Sequence, residues 1–195
     1  MWYDEVNLYN YNNPGFSSAT GHFTQVVWKS TSDLGCGIAI SRNGKIYGVS
    51  EYTKPGNYGN QYRANVLPKK STQQIQEQPV QPSQPEQPIQ KPVEQTPVEP
   101  SPSNSNFDEC QQVYQATCLS EHNRYRAMHH APPLKTNIEL QKSALAFAQN
   151  LAATEVFKHS GKKGVGENLA YSYSSSVRQL SNCGGNFLWE IFLRN

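Results

Sequence analysis

His22 stands near the start of a stretch, GHFTQVVWKS at residues 21–30, that would place an imidazole at a helix terminus. The apolar residues of this stretch follow the i, i+3, i+4 spacing of one helical face, although a strand fits almost as well. On the helical interpretation His22 lies in the first turn, after Thr20 and Gly21 as candidate caps. The positive helix end disfavours a second positive charge, so the imidazole is expected to be neutral near pH 7 and able to bind metal or accept a proton. The alternative is a histidine that only hydrogen-bonds a neighbour.

A carboxylate, Glu5, is predicted to lie on the apolar side of a helix over residues 2–11. Trp2, Val6 and Tyr9 define that side through their i, i+4, i+7 spacing. A carboxylate there must be paired or hydrogen-bonded, or it stays protonated. The alternative is a carboxylate at the rim that reaches water.

The composition limits the classes of partner and the number of domains. The chain has 195 residues, enough for one ordinary domain or two small ones. A net charge of +2, with 16% charged residues and no Lys/Arg block, argues against a nucleic-acid partner. No apolar run approaches the length of a bilayer span, and the opening residues MWYDE do not form a signal peptide.

Four cysteines occur, at positions 36, 110, 118 and 183. The even number favours an oxidising compartment, but four cysteines allow three pairings and also none. Cys110 and Cys118 flank a short segment and could close a small loop; two free thiols are the alternative. No Cys-x-x-Cys pair or His-rich zinc spacing is present.

The elements that must position these groups fall into two segments. In the first, residues 34–40 and 46–52 are predicted strands joined by a tight turn at Asn43-Gly44, and residues 62–67 close the unit. In the second, residues 119–128 are a predicted helix. A further helix starts after Asn137 as N-cap and runs to about residue 156. Its apolar stripe comprises Leu140, Ala144, Phe147 and Leu151, and residues 167–171 follow as a buried strand.

Residues 71–106 separate the two segments and differ from them in composition. Eight of the thirteen prolines lie between Pro79 and Pro102, among Gln, Glu, Val and Ser. Such a sequence is typical of a disordered, partly polyproline-II linker. Its Pro-x-x-Pro spacings could meet an SH3-type partner, whereas a plain spacer is the simpler interpretation.

These motifs resemble those of the CAP superfamily, which comprises cysteine-rich secretory proteins, antigen 5 and pathogenesis-related proteins and is built on the SCP domain. The resemblance rests on GHFTQVVWKST from residue 21, LGCG from residue 34, HNRYR from residue 122 and GENLA from residue 166. Residues 1–70 resemble the C-terminal half of a CAP domain, and residues 107–176 resemble the N-terminal half of a second one. The motifs end near residue 176, and residues 177–195 form an atypical tail that an incorrect gene-model end would explain.

The resemblance implies an α+β fold, a three-layer α/β/α sandwich, here assembled as a circularly permuted domain from two half-domains. A flexible chain of the linker's length reaches about 30–36 Å, which exceeds the roughly 14 Å radius of gyration of such a domain. The alternatives are a domain-swapped oligomer, in which the halves pair between chains, and two unfolded halves.

The resemblance also implies a central cavity that holds two histidines and two glutamates. Matched motif by motif, these are Glu5, His22, His159 and Glu167. His22 and His159 are the expected ligands of an optional zinc ion, and each glutamate is expected to orient an imidazole or to bind through water. His122, in the opening-helix motif, is expected to be structural.

Three function classes follow from the resemblance. The first is a non-enzymatic, extracellular (secreted) binding module for a lipid or sterol or for a protein partner, with no required cofactor and no catalytic residue. The second is a metal-dependent hydrolase in which Glu5 or Glu167 is the base; no His-Glu-x-x-His motif supports it. The third is a truncated, inactive product.

Overall fold

The computed structural model of the chain describes residues 2–70 and 105–173, and for residues 105–109 it describes the backbone alone. The predicted linker therefore lies outside the described residues except at its last two positions, and so does the tail after residue 173. The first segment contains a 3₁₀ helix at Asp4–Leu8, α1 (Gly21–Val26), β1 (Asp33–Ile40), β2 (Lys45–Thr53), a second 3₁₀ helix at Gly59–Gln61 and α2 (Tyr62–Asn65). The second contains α3 (Ser105–Met128), β3 (Lys135–Thr136), α4 (Ile138–Thr154) and β4 (Gly166–Tyr173).

Both segments contribute strands to one four-stranded sheet in the order β3-β1-β2-β4. The central strands β1 and β2 form the predicted antiparallel hairpin, with Gly44 at a φ of 80° in its turn. The edge strands come from the second segment: β3 runs parallel to β1, and β4 runs antiparallel to β2. The mixture of helices and sheet confirms the α+β class, and neither segment completes the sheet without the other.

Helices cover both faces of the sheet because the strands alternate their side chains. On one face α4 packs through Ala144, Ala148 and Leu151 against residues of β1, β2 and β4. The opposite face, together with α1, α3 and the N-terminal residues, forms the larger core, whose members include Trp2, Phe23, Val26, Leu34, Cys36, Ile38, Ile46, Tyr52, Tyr114, Tyr125 and Ala170.

Two glycines of β1 let α4 approach the sheet closely. A methyl group placed on Gly35 would overlap the backbone at Leu140, and one on Gly37 would overlap the backbone at Ala144. The absence of side chains at these positions therefore brings the helix backbone directly onto the strand. At its start, α4 is capped by Asn137, as predicted: the side-chain oxygen accepts the N–H groups of Glu139 and Leu140.

Covalent and polar contacts also join the segments. A disulfide links Cys36 on β1 to Cys118 on α3. The predicted Cys110–Cys118 loop and the alternative of free thiols are therefore wrong, since the sheet brings Cys36 under α3 and Cys110 is disulfide-bonded as well. At the end of the first segment, the N–H of Lys70 donates to the carbonyl of Met128, the last residue of α3.

Two helix predictions need correction. The helix predicted over residues 2–11 is only a 3₁₀ helix at Asp4–Leu8, and Tyr9 is already extended. Contacts to the core bury Trp2 and Tyr9 without a continuous helix. The helix predicted to begin at residue 119 begins at Ser105 instead. The added turns of α3 bury three residues at i, i+4 and i+8, which are Cys110, Tyr114 and Cys118. Two of these three residues are cysteines, so the sequence shows no aliphatic stripe there.

Candidate functional site

Glu5 caps helix α1 from outside the helix. One carboxylate oxygen, Oε2, accepts the N–H groups of His22 at 2.9 Å and Phe23 at 3.0 Å. The free N–H groups of a helix N-terminus bind an anion readily, so the carboxylate takes the place of a local cap. Thr20, which was expected to cap the helix, makes no side-chain cap hydrogen bond. The prediction that the Glu5 carboxylate is hydrogen-bonded is confirmed, and 18% of the side chain is still exposed.

The second oxygen of Glu5 fixes the ring of His22. Nδ1 of His22 lies 2.7 Å from Oε1 of Glu5, and the imidazole stacks near the Trp2 ring with centroids 6.1 Å apart. A carboxylate accepts only, so the shared proton belongs to Nδ1 when Glu5 is ionised. Nε2 is then the ring nitrogen with a lone pair, and no described residue hydrogen-bonds it.

His159 and Glu167 form a second pair of the same kind. Nδ1 of His159 lies 2.6 Å from Oε1 of Glu167, which also accepts the N–H of Ser160 at 3.0 Å. The hydrogen bond to Glu167 raises the pKa of His159 above its ordinary value. Burial alone would raise the pKa of Glu167, but the hydrogen bonds from His159 and Ser160 outweigh burial and lower it.

One atom of this second pair has no partner. The Glu167 side chain is 8% exposed, and its Oε2 is buried without a hydrogen bond from any described residue. An unsatisfied buried carboxylate oxygen is costly, and a cation or an ordered water would satisfy it.

Asn168, the neighbour of Glu167 in β4, contacts the backbone of His22. Its Nδ2 donates to the backbone carbonyl of His22 at 3.2 Å and to the hydroxyl of Tyr52 at 3.1 Å. The indole of Trp2 donates to the carbonyl of Leu169, the next residue of β4, at 3.1 Å. The structure thus brings Glu5 together with His22 and brings His159 together with Glu167, and β4 contacts the first pair through Asn168 and carries Glu167 of the second. No described hydrogen bond joins the pairs directly.

A buried network supports this arrangement from beneath. The hydroxyl of Tyr52 lies 2.8 Å from Nε2 of His122, and Nδ1 of His122 donates to the carbonyl of Cys118 at 2.7 Å. Burial lowers the pKa of His122 to about 4, so this imidazole is neutral at pH 7 and holds α3 to the sheet. Neither Tyr52 nor Asn168 was predicted as a site residue. The position of Asn168 within a predicted buried strand could have indicated a polar contact at this place, since a buried amide needs hydrogen-bond partners.

Comparison with known proteins identifies the family of the chain. The model of the cysteine-rich secretory protein family, CAP, matches residues 1–52 and 119–189, more than half of the sequence. The chain belongs to the CAP family. The match to the second segment continues beyond residue 176, where the recognisable motifs end.

Curated CAP proteins show the same similarity over part of their length. Protein PRY2 of Saccharomyces cerevisiae is 48% identical over 68 residues, 34% of this chain and 21% of that protein. The human Golgi-associated plant pathogenesis-related protein 1 is 45% identical over 71 residues, 35% of this chain and 46% of that protein. Salivary antigen-5 of Dipetalogaster maximus is 47% identical over 60 residues, 29% of this chain and 24% of that protein. The chain therefore spans between about a fifth and just under half of the CAP relatives it matches.

The chemistry of the two pairs fits a metal ligand better than an isolated histidine would. A carboxylate on Nδ1 fixes the tautomer and the orientation of an imidazole and raises the basicity of its other nitrogen. His22 and His159 are the residues that would hold an ion through Nε2, and the unpartnered Oε2 of Glu167 adds negative charge beside His159. Within residues 2–70 and 105–173, however, no group of three or more His, Cys, Asp or Glu side chains is arranged as a metal site. An ion there would therefore complete its coordination with water or ligand atoms.

Proposed function

We propose that this chain is a non-enzymatic CAP-domain binding module, in which the two segments form one circularly permuted domain. The paired Glu-His groups, one from each segment, supply an optional zinc site, and an apolar surface beside them takes a lipid or sterol or a protein partner. The observation that carries the proposal is that each imidazole has its Nδ1 bonded to a carboxylate, with Nε2 left for a ligand.

Two exposed apolar side chains support the binding of an apolar partner. Leu8 and Phe16 are both 68% exposed. Leu8 follows Glu5 by three residues in the same 3₁₀ helix, where residues i and i+3 eclipse, so both side chains lie on one side. Phe16 lies against Gly21, next to His22, since a methyl group on that glycine would contact the Phe16 ring at 3.4 Å. Large exposed apolar residues grouped at one site are typical of a binding surface.

An extracellular location is part of the proposal. The Cys36–Cys118 disulfide favours an oxidising compartment, because cytosolic thiols are kept reduced. In the part of the chain that the structure describes, no helix has the length and apolar character of a membrane span.

Titration calorimetry with zinc tests the metal part of the proposal. We expect heat of binding for the wild type and its loss in His22→Ala, because one of two imidazole ligands is removed. His130→Asn is the matched control, since His130 is exposed and at a φ of 57°, which asparagine tolerates. Equal heats for wild type and His22→Ala would contradict the zinc site.

Binding to sterol-containing vesicles tests the apolar partner. We expect Leu8→Ser with Phe16→Ser to weaken vesicle binding about a hundredfold or more, because each substitution removes about 1.5 kcal/mol or more of apolar burial and about 1.4 kcal/mol corresponds to a factor of ten. Ile138→Ser is the control, since Ile138 is also exposed but begins α4 on the other face of the sheet. If the wild type does not bind the vesicles, a lipid or sterol partner is excluded and a protein partner remains.

A further inference from the structure

The segment that carries His159 has no regular secondary structure. It joins the end of α4 at Thr154 to the start of β4 at Gly166 and lies mostly at the surface. Gly161 and Gly164 adopt φ values of 73° and 77° within it. A surface connection of this kind needs contacts to the rigid elements if His159 is to keep one position.

Lys162 makes such contacts, three residues after His159. Its Nζ donates to Oγ of Ser143 on α4 at 2.6 Å and to Oε2 of Glu51 on β2 at 3.1 Å. Ser143 in turn donates to the other oxygen of Glu51 at 2.8 Å. Glu51 is 1% exposed, so Lys162 is the cation that compensates a buried carboxylate.

The strand register places this carboxylate beside the candidate site. Glu51 on β2 lies directly opposite Glu167 on β4, so both side chains are on the face that α4 covers. Like charges directly opposite each other on one face of a sheet destabilise it. The segment supplies one partner for each: Lys162 contacts Glu51, and His159 contacts Glu167.

We propose that Lys162 is a positioning residue for His159. By bonding to Ser143 and Glu51, the Lys162 ammonium ties the segment to α4 and β2, and this fixes the place from which His159 reaches Glu167. The inference rests on the proposed function, in which His159 supplies an imidazole to the site.

Hydrogen exchange of the metal-free protein tests the positioning directly. The N–H of Ser160 donates to Glu167, and we expect this hydrogen bond to slow its exchange. We expect Lys162→Met to raise its exchange rate at least tenfold and Lys162→Arg to restore protection. Lys163→Met is the matched control, because this substitution removes the same charge. Lys163 is exposed and has no hydrogen bond or ion pair to any described residue. Equal exchange rates in Lys162→Met and Lys163→Met would overturn the proposal.

Zinc affinity gives the second readout. We expect Lys162→Met to weaken zinc binding about tenfold, as substitutions behind a metal ligand do, with no change in Lys163→Met. Unchanged affinity despite faster exchange would overturn the positioning role. If the wild type binds no zinc, the proposed metal site fails, while hydrogen exchange still decides whether Lys162 holds the segment.

A double variant keeps the test valid if Lys162→Met does not fold because Glu51 is left buried and unpaired. Glu51→Gln with Lys162→Met removes both charges and keeps an amide that Ser143 can contact. We expect the same loss of Ser160 protection in this folded variant, and wild-type protection there would overturn the proposal.

Discussion

Arg126 shows how one buried side chain binds the two segments together. Its guanidinium donates to the backbone carbonyls of Val26 at 3.1 Å, Trp28 at 2.8 Å and Thr31 at 2.9 Å. Burial lowers its pKa to about 10, which leaves it charged at pH 7. The three carbonyls lie in the first segment and the arginine in the second, so the contact forms only when the segments assemble.

Replacing Arg126 should therefore destabilise the fold strongly. We expect Arg126→Met to lower the free energy of unfolding by about 3 kcal/mol or more, because several buried carbonyls lose their donor. Arg126→Lys should recover only part of the loss, since an ammonium lacks the planar fork that reaches all three. Urea unfolding measures both, with the exposed Arg42→Met as control. A loss below about 1 kcal/mol would contradict this assignment.

The His159–Glu167 pair should give the protein a pH-dependent stability. The pKa of His159 is raised, so its contribution is full below about 6.5 and is lost as the pH rises through its folded-state value. The pKa of Glu167 is lowered, so its contribution is present above about 4.5 and is lost as the pH falls through its folded-state value.

The prediction is a difference in melting temperature between wild type and His159→Gln that is largest between about pH 4.5 and 6.5. The measurement is a thermal melt across the pH range in the presence of a chelator. A difference that does not change with pH would contradict the pairing.

At the level of strands and helices, the sequence predicted what depends on local pattern. The hairpin β1–β2, the Asn137 cap of α4 and the strand β4 follow from alternation, turn chemistry and capping preference. The cap of α1 could not be predicted in this way, since it comes from Glu5 and depends on the tertiary fold. The early turns of α3 were missed because cysteines occupy buried positions that aliphatic residues usually fill.

The contact of α4 with β1 predicts a severe effect of one added methyl group. We expect Gly37→Ala to cost about 2 kcal/mol or more, because its methyl would meet the helix backbone, which cannot move aside as a side chain can. Gly15→Ala is the control, since nothing lies within 4 Å of its added methyl group. Chemical denaturation measures both, and equal stability of the two variants would contradict this packing.

Over the complete fold, the resemblance indicated the two halves of a CAP domain and their assembly, but not which cysteines join them. Four cysteines do not reveal their pairing, and only the assembled sheet brings Cys36 to Cys118. Of the candidate site, the resemblance supplied Glu5, His22, His159 and Glu167, and that these four residues share one cavity stays a prediction. The contacts of Asn168 with His22 and Tyr52 depend on strand register and could not be predicted from motifs.

The disulfide should stabilise the joined segments substantially. It spans 82 residues, so Cys36→Ala with Cys118→Ala should lower the free energy of unfolding by about 4 kcal/mol through the added freedom of the unfolded chain. Size-exclusion chromatography with light scattering should still report a monomer, since the strands pair within one chain. A dimer would indicate exchange of halves between chains.

The places where the two segments end set how short their connection could be. Lys70 is bonded to Met128 at the C-terminal end of α3, whereas the second segment re-enters at Ser105, the N-terminal end of the same helix. The 24 residues of α3 measure about 36 Å, a distance that about eleven extended residues cover. Most of residues 71–104 could therefore be deleted, and the remaining residues would still span the distance from Lys70 to Ser105.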